Sequence, residues 1–342
     1  MNKLVPEYPE RVLIDISGRC NLKCPMCVVH GSDDTEAKSL AIGEMPFDGV
    51  KKIVGELPSG KTLIQPNMWG EPLLTPRFKD HMKAMKDAGL AVAINTNGLT
   101  LTEGTARFLV DTEVDSIFFS VDAVTRETLK KVRGIDRLDK IKRNAKMMLD
   151  TRGSHVLPRI GASFTIQDAN EHEVDAFIDH WIQLVDVVRI GTVYEDGRLT
   201  RIAVPEKRVP CQALYHTMPI HFNGDALICC LDGFAQHVVG NVFKDGGVKA
   251  VWHGPQFTQI REYHEAGQWD KVPFCKNCNA WAGYIFEEEL IERSGVQVLV
   301  RRSYQFEYFN RVDRLDSWHG GLKGHALPDS KRLATRKKSA AE

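Results

Sequence analysis

Arg19-Cys20-Asn21-Leu22-Lys23-Cys24-Pro25-Met26-Cys27 is the stretch from which the rest of this chain is read. Cys20, Cys24 and Cys27 fall in the spacing Cys-x-x-x-Cys-x-x-Cys. A mononuclear zinc site takes four ligands, commonly two facing Cys-x-x-Cys or Cys/His pairs. No fourth cysteine stands in this loop, and His30 is nearby but in no familiar zinc spacing. Three thiolates can instead hold three irons of a 4Fe-4S cluster and leave the fourth iron open. An open metal position marks a chemical site, as it does for a catalytic zinc. The plain alternative is three structural cysteines that happen to cluster.

Working outward, residues 11–17 read as a buried strand, and the cysteine loop follows its C-terminal end. A helix is expected over 47–57. Strand-like and helix-like runs then alternate. Strands are expected at 61–66, 90–95, 116–121, 159–165 and 187–193, with helices at 77–88, 103–112, 125–150 and 171–185. Six β-then-α units in a row imply parallel strands with right-handed crossovers, hence an α/β barrel or partial barrel. In such barrels function gathers on the loops at the C-terminal strand ends, where the cysteine loop sits.

At its three cysteines the chain resembles the radical S-adenosylmethionine (SAM) family. The resemblance covers roughly residues 10–195 and implies a partial (β/α)6 TIM-like barrel. It further implies a 4Fe-4S cluster on Cys20, Cys24 and Cys27 whose open iron chelates SAM and cleaves it to a 5′-deoxyadenosyl radical. In such a site the residue before the third cysteine lies near the adenine. It is usually aromatic; here it is Met26, apolar and adaptable enough to cover a purine face.

The loops after the other strands fall into line with that resemblance. Trp69-Gly70-Glu71-Pro72 is similar to the family's Gly-Gly-Glu-Pro motif, with Trp69 in place of the first glycine. It implies that the backbone at Gly70 and Pro72 and the carboxylate of Glu71 meet the SAM amino group. Taken alone, Gly-Glu-Pro is an ordinary turn. Thr96-Asn97-Gly98 resembles a segment at the rim of the SAM site, which makes Asn97 a candidate. Ser120 and Asp122 end the next strand, where related enzymes bind the ribose hydroxyls; Asp122 and Thr125 could equally cap the following helix. The Arg133-Gly134 pair also recurs in relatives, with a solvated surface as the alternative. Arg189 sits on a strand that should line the barrel, where it can meet the SAM carboxylate or pair with an acid.

Past Tyr194 the alternation stops, and Pro205 and Pro210 mark a linker. Cys211 is followed by twelve residues, Gly224, four residues and Cys229, and later by the pair Cys275-x-x-Cys278. Residues 219–228 read as a β-hairpin with an Asn223-Gly224 turn, carrying a thiol on its second strand. Four thiolates can bind zinc or a fully ligated iron–sulfur cluster. The spacing is similar to SPASM and twitch extensions of radical SAM enzymes, as are Gly240-Asn241-Val242 and Trp252. No cysteine follows Cys278, and Tyr284 stands where a full SPASM domain places the next one. The resemblance therefore implies one auxiliary 4Fe-4S cluster on Cys211, Cys229, Cys275 and Cys278, suited to electron transfer. Cys230 is an inert thiol, a substitute ligand, or a hydrogen-atom donor to a substrate radical. In peptide-modifying relatives an Asp directly follows the ligand that Cys229 matches and acts as base; here Asp232 lies two positions further on.

The remainder is expected to form a C-terminal helical extension: a helix at 284–292, a strand at 296–308, a further helix, and a disordered basic tail over 322–342. Domain boundaries are expected at 1–200 for the barrel, 201–290 for the auxiliary-cluster domain and 291–342 for the extension. The 342 residues carry 45 basic and 45 acidic side chains, so no basic excess points to nucleic acid or an acidic membrane. No apolar run reaches the length of a membrane helix, and the first residues lack a signal-peptide core. Clustered cysteines without a disulfide framework fit a cytoplasmic enzyme.

These readings imply abstraction of a hydrogen atom from a small polar substrate: a sugar, cyclitol or nucleoside-linked sugar. Alcohol dehydrogenation, epimerisation and sugar-acid decarboxylation, as in nucleoside antibiotic biosynthesis, all fall within the resemblance. A flavodoxin- or ferredoxin-type reductant is expected. The alternatives are a SPASM-type peptide or protein maturase and a non-catalytic electron carrier. Many peptide maturases carry an N-terminal peptide-binding domain, for which a barrel starting near Arg11 leaves no room.

Overall fold

The computed structural model describes residues 5–195, 197–201, 204–284, 287–303 and 305–317. Its framework is six parallel strands hydrogen-bonded in sequence order: β1 (Arg11–Ile14), β2 (Leu63–Gln65), β3 (Ala91–Thr96), β4 (Ser116–Ser120), β5 (Arg159–Ile166) and β6 (Val187–Thr192). Side chains alternate across a strand, so each strand has one face toward the helices and one toward the lumen. Val12, Ile14, Ile64, Val92, Ile94, Ile117, Phe119, Ile160, Ala162, Val188 and Ile190 belong to one apolar core. Against them pack helices Phe47–Glu56, Phe78–Asp87, Glu103–Asp111, Leu138–Arg152 and Val174–Trp181. Fully buried Met82, Met85, Leu109, Ile141, Met148, Phe177 and Trp181 sit on that inward stripe. Each contributes about 1.5–3 kcal/mol by leaving water. The opposite strand face, bearing Arg11, Gln65, Asn95, Ser120, Ser163 and Arg189, is left for the lumen.

Helix starts follow local capping chemistry. Thr102 Oγ1 accepts from the Thr105 N–H, and Thr125 Oγ1 from the Thr128 N–H, both at 3.2 Å. The single helix expected over 125–150 is two, Arg126–Arg133 and Leu138–Arg152. Gly134 ends the first in the left-handed conformation, φ +71°, which glycine adopts without a Cβ penalty.

After β6 come a small hairpin, β7 (Tyr194–Glu195) with β8 (Arg198–Leu199), and then β9 (Thr217–Ile220), β10 (Asp225–Leu227) and β11 (Val238–Asn241). The Asn223-Gly224 turn joins β9 to β10 as expected, with Gly224 at φ +88°. Two features differ from the sequence reading. Cys229 lies just beyond β10, not on it. The hairpin also extends the barrel sheet, because β9 pairs in parallel with β1, Arg11 against Thr217 and Ile14 against Ile220.

Over its described residues in 287–311 the C-terminal extension is β, not helical. β12 (Glu287–Arg293), β13 (Val296–Arg302) and β14 (Phe306–Arg311) form a meander that joins the sheet through antiparallel pairing of β14 with β6. The acidic run 287–292 suggested a helix because glutamate is a good helix former. Tertiary pairing overrides it: Arg301 faces Glu288 at 2.9 Å and Arg302 faces Glu289 at 2.5 Å across the two strands. Ser294 and Gly295, both at positive φ, make the two-residue turn. The strand expected over 296–308 is split between β13 and β14, where the Ser303 hydroxyl accepts from the Phe306 N–H. A short 3-10 turn, Val312–Ser317, follows; the tail 322–342 lies outside the described residues.

Candidate functional site

The loop after β1 is folded back on itself by its own backbone. The Cys27 N–H donates to the Cys24 carbonyl and the Gly31 N–H to the Cys27 carbonyl, both at 2.9 Å. A Cβ at Gly31 would stand 2.4 Å from the Cys24 carbonyl oxygen and 2.7 Å from that of Cys27, so only glycine closes this coil. Main-chain N–H groups of Leu22 and His30 point at the sulfurs of Cys20 and Cys27, at 3.4 and 3.3 Å. Burial pushes Cys20 up to about 11, with Glu71, Cys24 and Cys27 adding to the rise. Burial also raises Cys24, against the pull of the Arg133 guanidinium. The three thiols therefore stand close enough to feel one another's charge, in a place that disfavours free thiolates. N–H donors aimed at sulfur and a need for cationic compensation suit cluster ligands.

The loop after β2 is fitted against this coil. A Cβ at Gly70 would lie 2.0 Å from the Ser17 carbonyl oxygen, and the Glu71 N–H donates to the Arg19 carbonyl at 2.7 Å. Pro72 starts a single 3-10 turn, Pro72–Leu74, in which the Glu71 carboxylate receives the Leu73 N–H. That carboxylate is buried, and also accepts from Thr96 Oγ1 at 2.6 Å and the Asn97 N–H at 2.7 Å. Burial raises its pKa, opposed by these donors. The Asn97 side chain donates onward to Asn21 Oδ1 at 2.8 Å. Gly70, Glu71, Pro72 and Asn97 are thus brought onto the cysteine loop as one connected unit. Trp69 Nε1 is buried beside it without a partner among the described residues.

Cys211, Cys229, Cys230, Cys275 and Cys278 also come together. Burial pushes Cys211 and Cys275 up to about 12, and each feels Cys278. Cys229 rises chiefly through its hydrogen bond to Cys230, which is drawn down by the same bond and by Arg11. Arg208 donates to the Cys275 and Lys276 carbonyls at 2.7 and 3.1 Å and stacks on Trp269 at 4.7 Å. The Cys211 N–H points at His264 Nδ1, 3.4 Å away, on an imidazole that burial holds down to about 4. Asn279, next to Cys278, exchanges two 2.8 Å hydrogen bonds with the Leu199 backbone. Tyr194, raised by burial, sits within the field of Cys278, Cys229 and Cys275. The Arg208 charge favours the Cys211 and Cys275 thiolates, and the Ala280 N–H points at the Cys278 sulfur at 3.4 Å, support that suits cluster ligands.

The sequence profile of the radical SAM superfamily matches residues 14–179, and that of the SPASM iron–sulfur cluster-binding domain matches 211–279. The chain is a member of the radical SAM superfamily. It carries a C-terminal SPASM domain, and this pair of domains implies SAM, a 4Fe-4S cluster and an auxiliary iron–sulfur cluster as cofactors. Among curated relatives, a tungsten-containing aldehyde ferredoxin oxidoreductase cofactor-modifying protein of Pyrococcus furiosus is 29% identical over 53% of this chain and 50% of its own length. The chain thus spans about half of that relative. The mycofactocin maturase of Mycobacterium tuberculosis is 23% identical over 74% of this chain and 73% of its own. SuiB of Streptococcus suis, solved with S-adenosylmethionine bound, superposes with a TM-score of 0.60 at 16% identity, over 80% of this chain and 73% of that one.

In this radical SAM barrel, Met26 is half-buried in the cysteine coil. Ser120 lies on the lumen face of β4, in register with Ser163 on β5 and, through it, with Arg189 on β6. Asp122 and Thr125 divide differently from the sequence alternatives. Thr125 alone caps the helix, whereas Asp122 is fully buried and paired with Arg133 at 2.5 Å. Its other oxygen accepts the Thr165 N–H at 2.7 Å. Arg133 is therefore no surface residue; its charge reaches Cys24 and Cys20. Asp232 spends both oxygens on the Gln236 and His237 N–H groups, a loop-fastening role. Asp15 was missed by the sequence reading. Burial at the mouth of β1 holds its carboxyl up at about 7, against the Met68 and Trp69 N–H groups. Its only sequence signal is an acid at the end of a strand bordering a metal loop. Among the described residues, no helix is long and apolar enough to cross a membrane.

Proposed function

We propose that this radical SAM enzyme removes a hydrogen atom from a small hydroxylated molecule, a sugar, cyclitol or nucleoside-linked sugar. The observation that carries the reading is the polar lumen. Ser120, Ser163, Arg189 and Tyr308 lie in register across β4, β5, β6 and β14, on the face opposite the apolar core. Hydroxyls beside a guanidinium match the donor and acceptor pattern of a polyhydroxylated ring.

A cluster on Cys20, Cys24 and Cys27, with SAM, supplies the 5′-deoxyadenosyl radical. Met26 would cover the adenine, and the Gly70–Pro72 backbone with Glu71 would meet the SAM amino group. Asn97, held by Asn21, would line the rim, and Ser120 would meet the ribose. Asp122 acts through Arg133 by fixing that guanidinium beside Cys24. Cys211, Cys229, Cys275 and Cys278 would hold the auxiliary cluster, and a flavodoxin- or ferredoxin-type protein would deliver electrons. For alcohol oxidation a base must take the hydroxyl proton, and Asp15, whose carboxyl burial raises to about 7, is the candidate. In a redox-neutral epimerisation or decarboxylation, Cys230, beside the auxiliary-cluster cysteines, would be the thiol that returns a hydrogen atom. A cytoplasmic location fits clusters that need reducing surroundings.

The second reading, a peptide or protein maturase, is favoured by the mycofactocin maturase alignment, which covers most of both chains. The test is anaerobic reconstitution followed by a screen of sugars, cyclitols, nucleosides and peptides for substrate-dependent 5′-deoxyadenosine release. Stimulation by a hydroxylated small molecule is expected; stimulation by peptides alone would replace the first reading with the second.

A further inference from the structure

Arg189 stands in the middle of β6 on the lumen face, its neighbours Val188 and Ile190 being in the apolar core. Its guanidinium is placed by aromatic rings, lying 4.8 Å from the Phe118 ring centroid and 5.9 Å from that of Phe306. Two glycines make room for those rings. A Cβ at Gly161 would stand 2.5 Å from the Phe118 ring, and one at Gly191 would stand 2.9 Å from the Phe306 ring. Among the described residues the guanidinium donates one hydrogen bond, from Nη2 to the neutral Asn95 Oδ1 at 3.2 Å. Among the described residues no carboxylate lies within ion-pair distance of it. By contrast, buried Arg133 and Arg152 each meet an acid, Asp122 and Asp186.

A stacked guanidinium keeps its N–H edge free in the ring plane, the geometry that grips a carboxylate or phosphate with two parallel hydrogen bonds. Arg11 on β1 lies on the same strand face. Arg11 Nη2 donates to the neutral Gln65 Oε1 at 2.6 Å, and its Nε is buried without a partner among the described residues. Two cations on one strand face, without a carboxylate partner among the described residues, raise the local concentration of anions there.

We infer that the substrate carries an anionic group, a carboxylate or a phosphate, and that Arg189 on its Phe118–Phe306 shelf receives it. This rests on the small-molecule reading above and narrows it to sugar acids, sugar phosphates or their nucleoside conjugates. The test is thermal denaturation of the cluster-loaded enzyme with SAM, adding inorganic phosphate, glucuronate, glucose 6-phosphate or glucose, with sodium chloride at matched ionic strength. At least one of the three anions raises Tm beyond chloride and glucose. Arg189→Gln weakens its binding by about tenfold or more, and Arg189→Lys recovers part of it. Iron content and circular dichroism establish that the variants fold. The inference is overturned if no anion exceeds chloride. It is equally overturned if the anion shift survives in Arg189→Gln, including the case where that variant loses SAM affinity instead. Substrate-free release of 5′-deoxyadenosine by the wild-type protein tests the radical chemistry separately. Release without any anion effect removes this inference alone.

Discussion

The main-chain N–H of Asn97 donates to the Glu71 carboxylate at 2.7 Å, which fastens the loop after β3 to the loop after β2. The same carboxylate takes the Thr96 hydroxyl and the Leu73 N–H, so both its oxygens are held by the protein before any cofactor arrives. Glu71→Gln replaces one accepting oxygen with a donor that faces another donor. Hydrogen bonds to a charged group are worth about 1.5–3 kcal/mol, so a stability loss of that order is expected by urea denaturation. SAM affinity should fall with it. A loss under about 0.5 kcal/mol would mean that the network is decorative.

The Asp122–Arg133 pair makes a different prediction. Removing one member of a buried pair strands the other's charge, at a cost of about 3–5 kcal/mol. Asp122→Asn and Arg133→Gln should each destabilise by that order, and the double variant by much less than their sum. Additive losses in a double-mutant cycle would show that the two side chains do not act on each other.

Asp15 predicts a pH effect with a definite sign. Its folded-state pKa, about 7, is raised above the ordinary 3.8 by burial. The folded protein therefore holds this proton across that window while the unfolded chain releases it. Stability from this group is present near pH 4 and is lost as pH rises toward 7. Asp15→Asn should match wild type near pH 4 and exceed it at pH 8, by up to roughly 4 kcal/mol at about 1.4 kcal/mol per pKa unit. Urea midpoints measured across that range decide it; a variant less stable at pH 8 contradicts the burial argument.

The cysteines predict iron counts. Reconstituted wild type should bind about eight irons per chain. Alanine at Cys20, Cys24 or Cys27 should remove about four and abolish SAM cleavage. Alanine at Cys211, Cys275 or Cys278 should remove the other four or so. Cys229→Ala should behave likewise, whereas Cys230→Ala should keep both clusters. If Cys230 returns a hydrogen atom, solvent-derived deuterium in the product disappears in that variant. A full loss of the auxiliary iron in Cys230→Ala would exchange the roles of the two thiols.

Some of this was legible in the chain alone. The Cys20–Cys24–Cys27 spacing, the Gly70-Glu71-Pro72 turn and the six alternating β and α runs are short-range patterns. A metal loop and an amphipathic face are set by residues a few positions apart, so one sequence suffices to find them. The same holds for the Asn223-Gly224 turn and the Cys211–Cys278 set, whose spacing points to a cage.

Tertiary structure alone decided what long-range register decides. Glu287–Arg293 has the composition of a helix, yet Arg301 and Arg302 of the neighbouring strand draw it into the sheet. Asp122 and Arg133 meet because β4 and the helix after it turn back on each other, and Leu199 meets Asn279 across eighty positions. Arg189 acquired its meaning only when Phe118, Phe306 and Asn95 were placed around it from three other strands. Local spacing chooses the cofactor chemistry of this chain; the packing of distant strands chooses what faces the lumen, because a side chain's partners depend on register that no short stretch encodes.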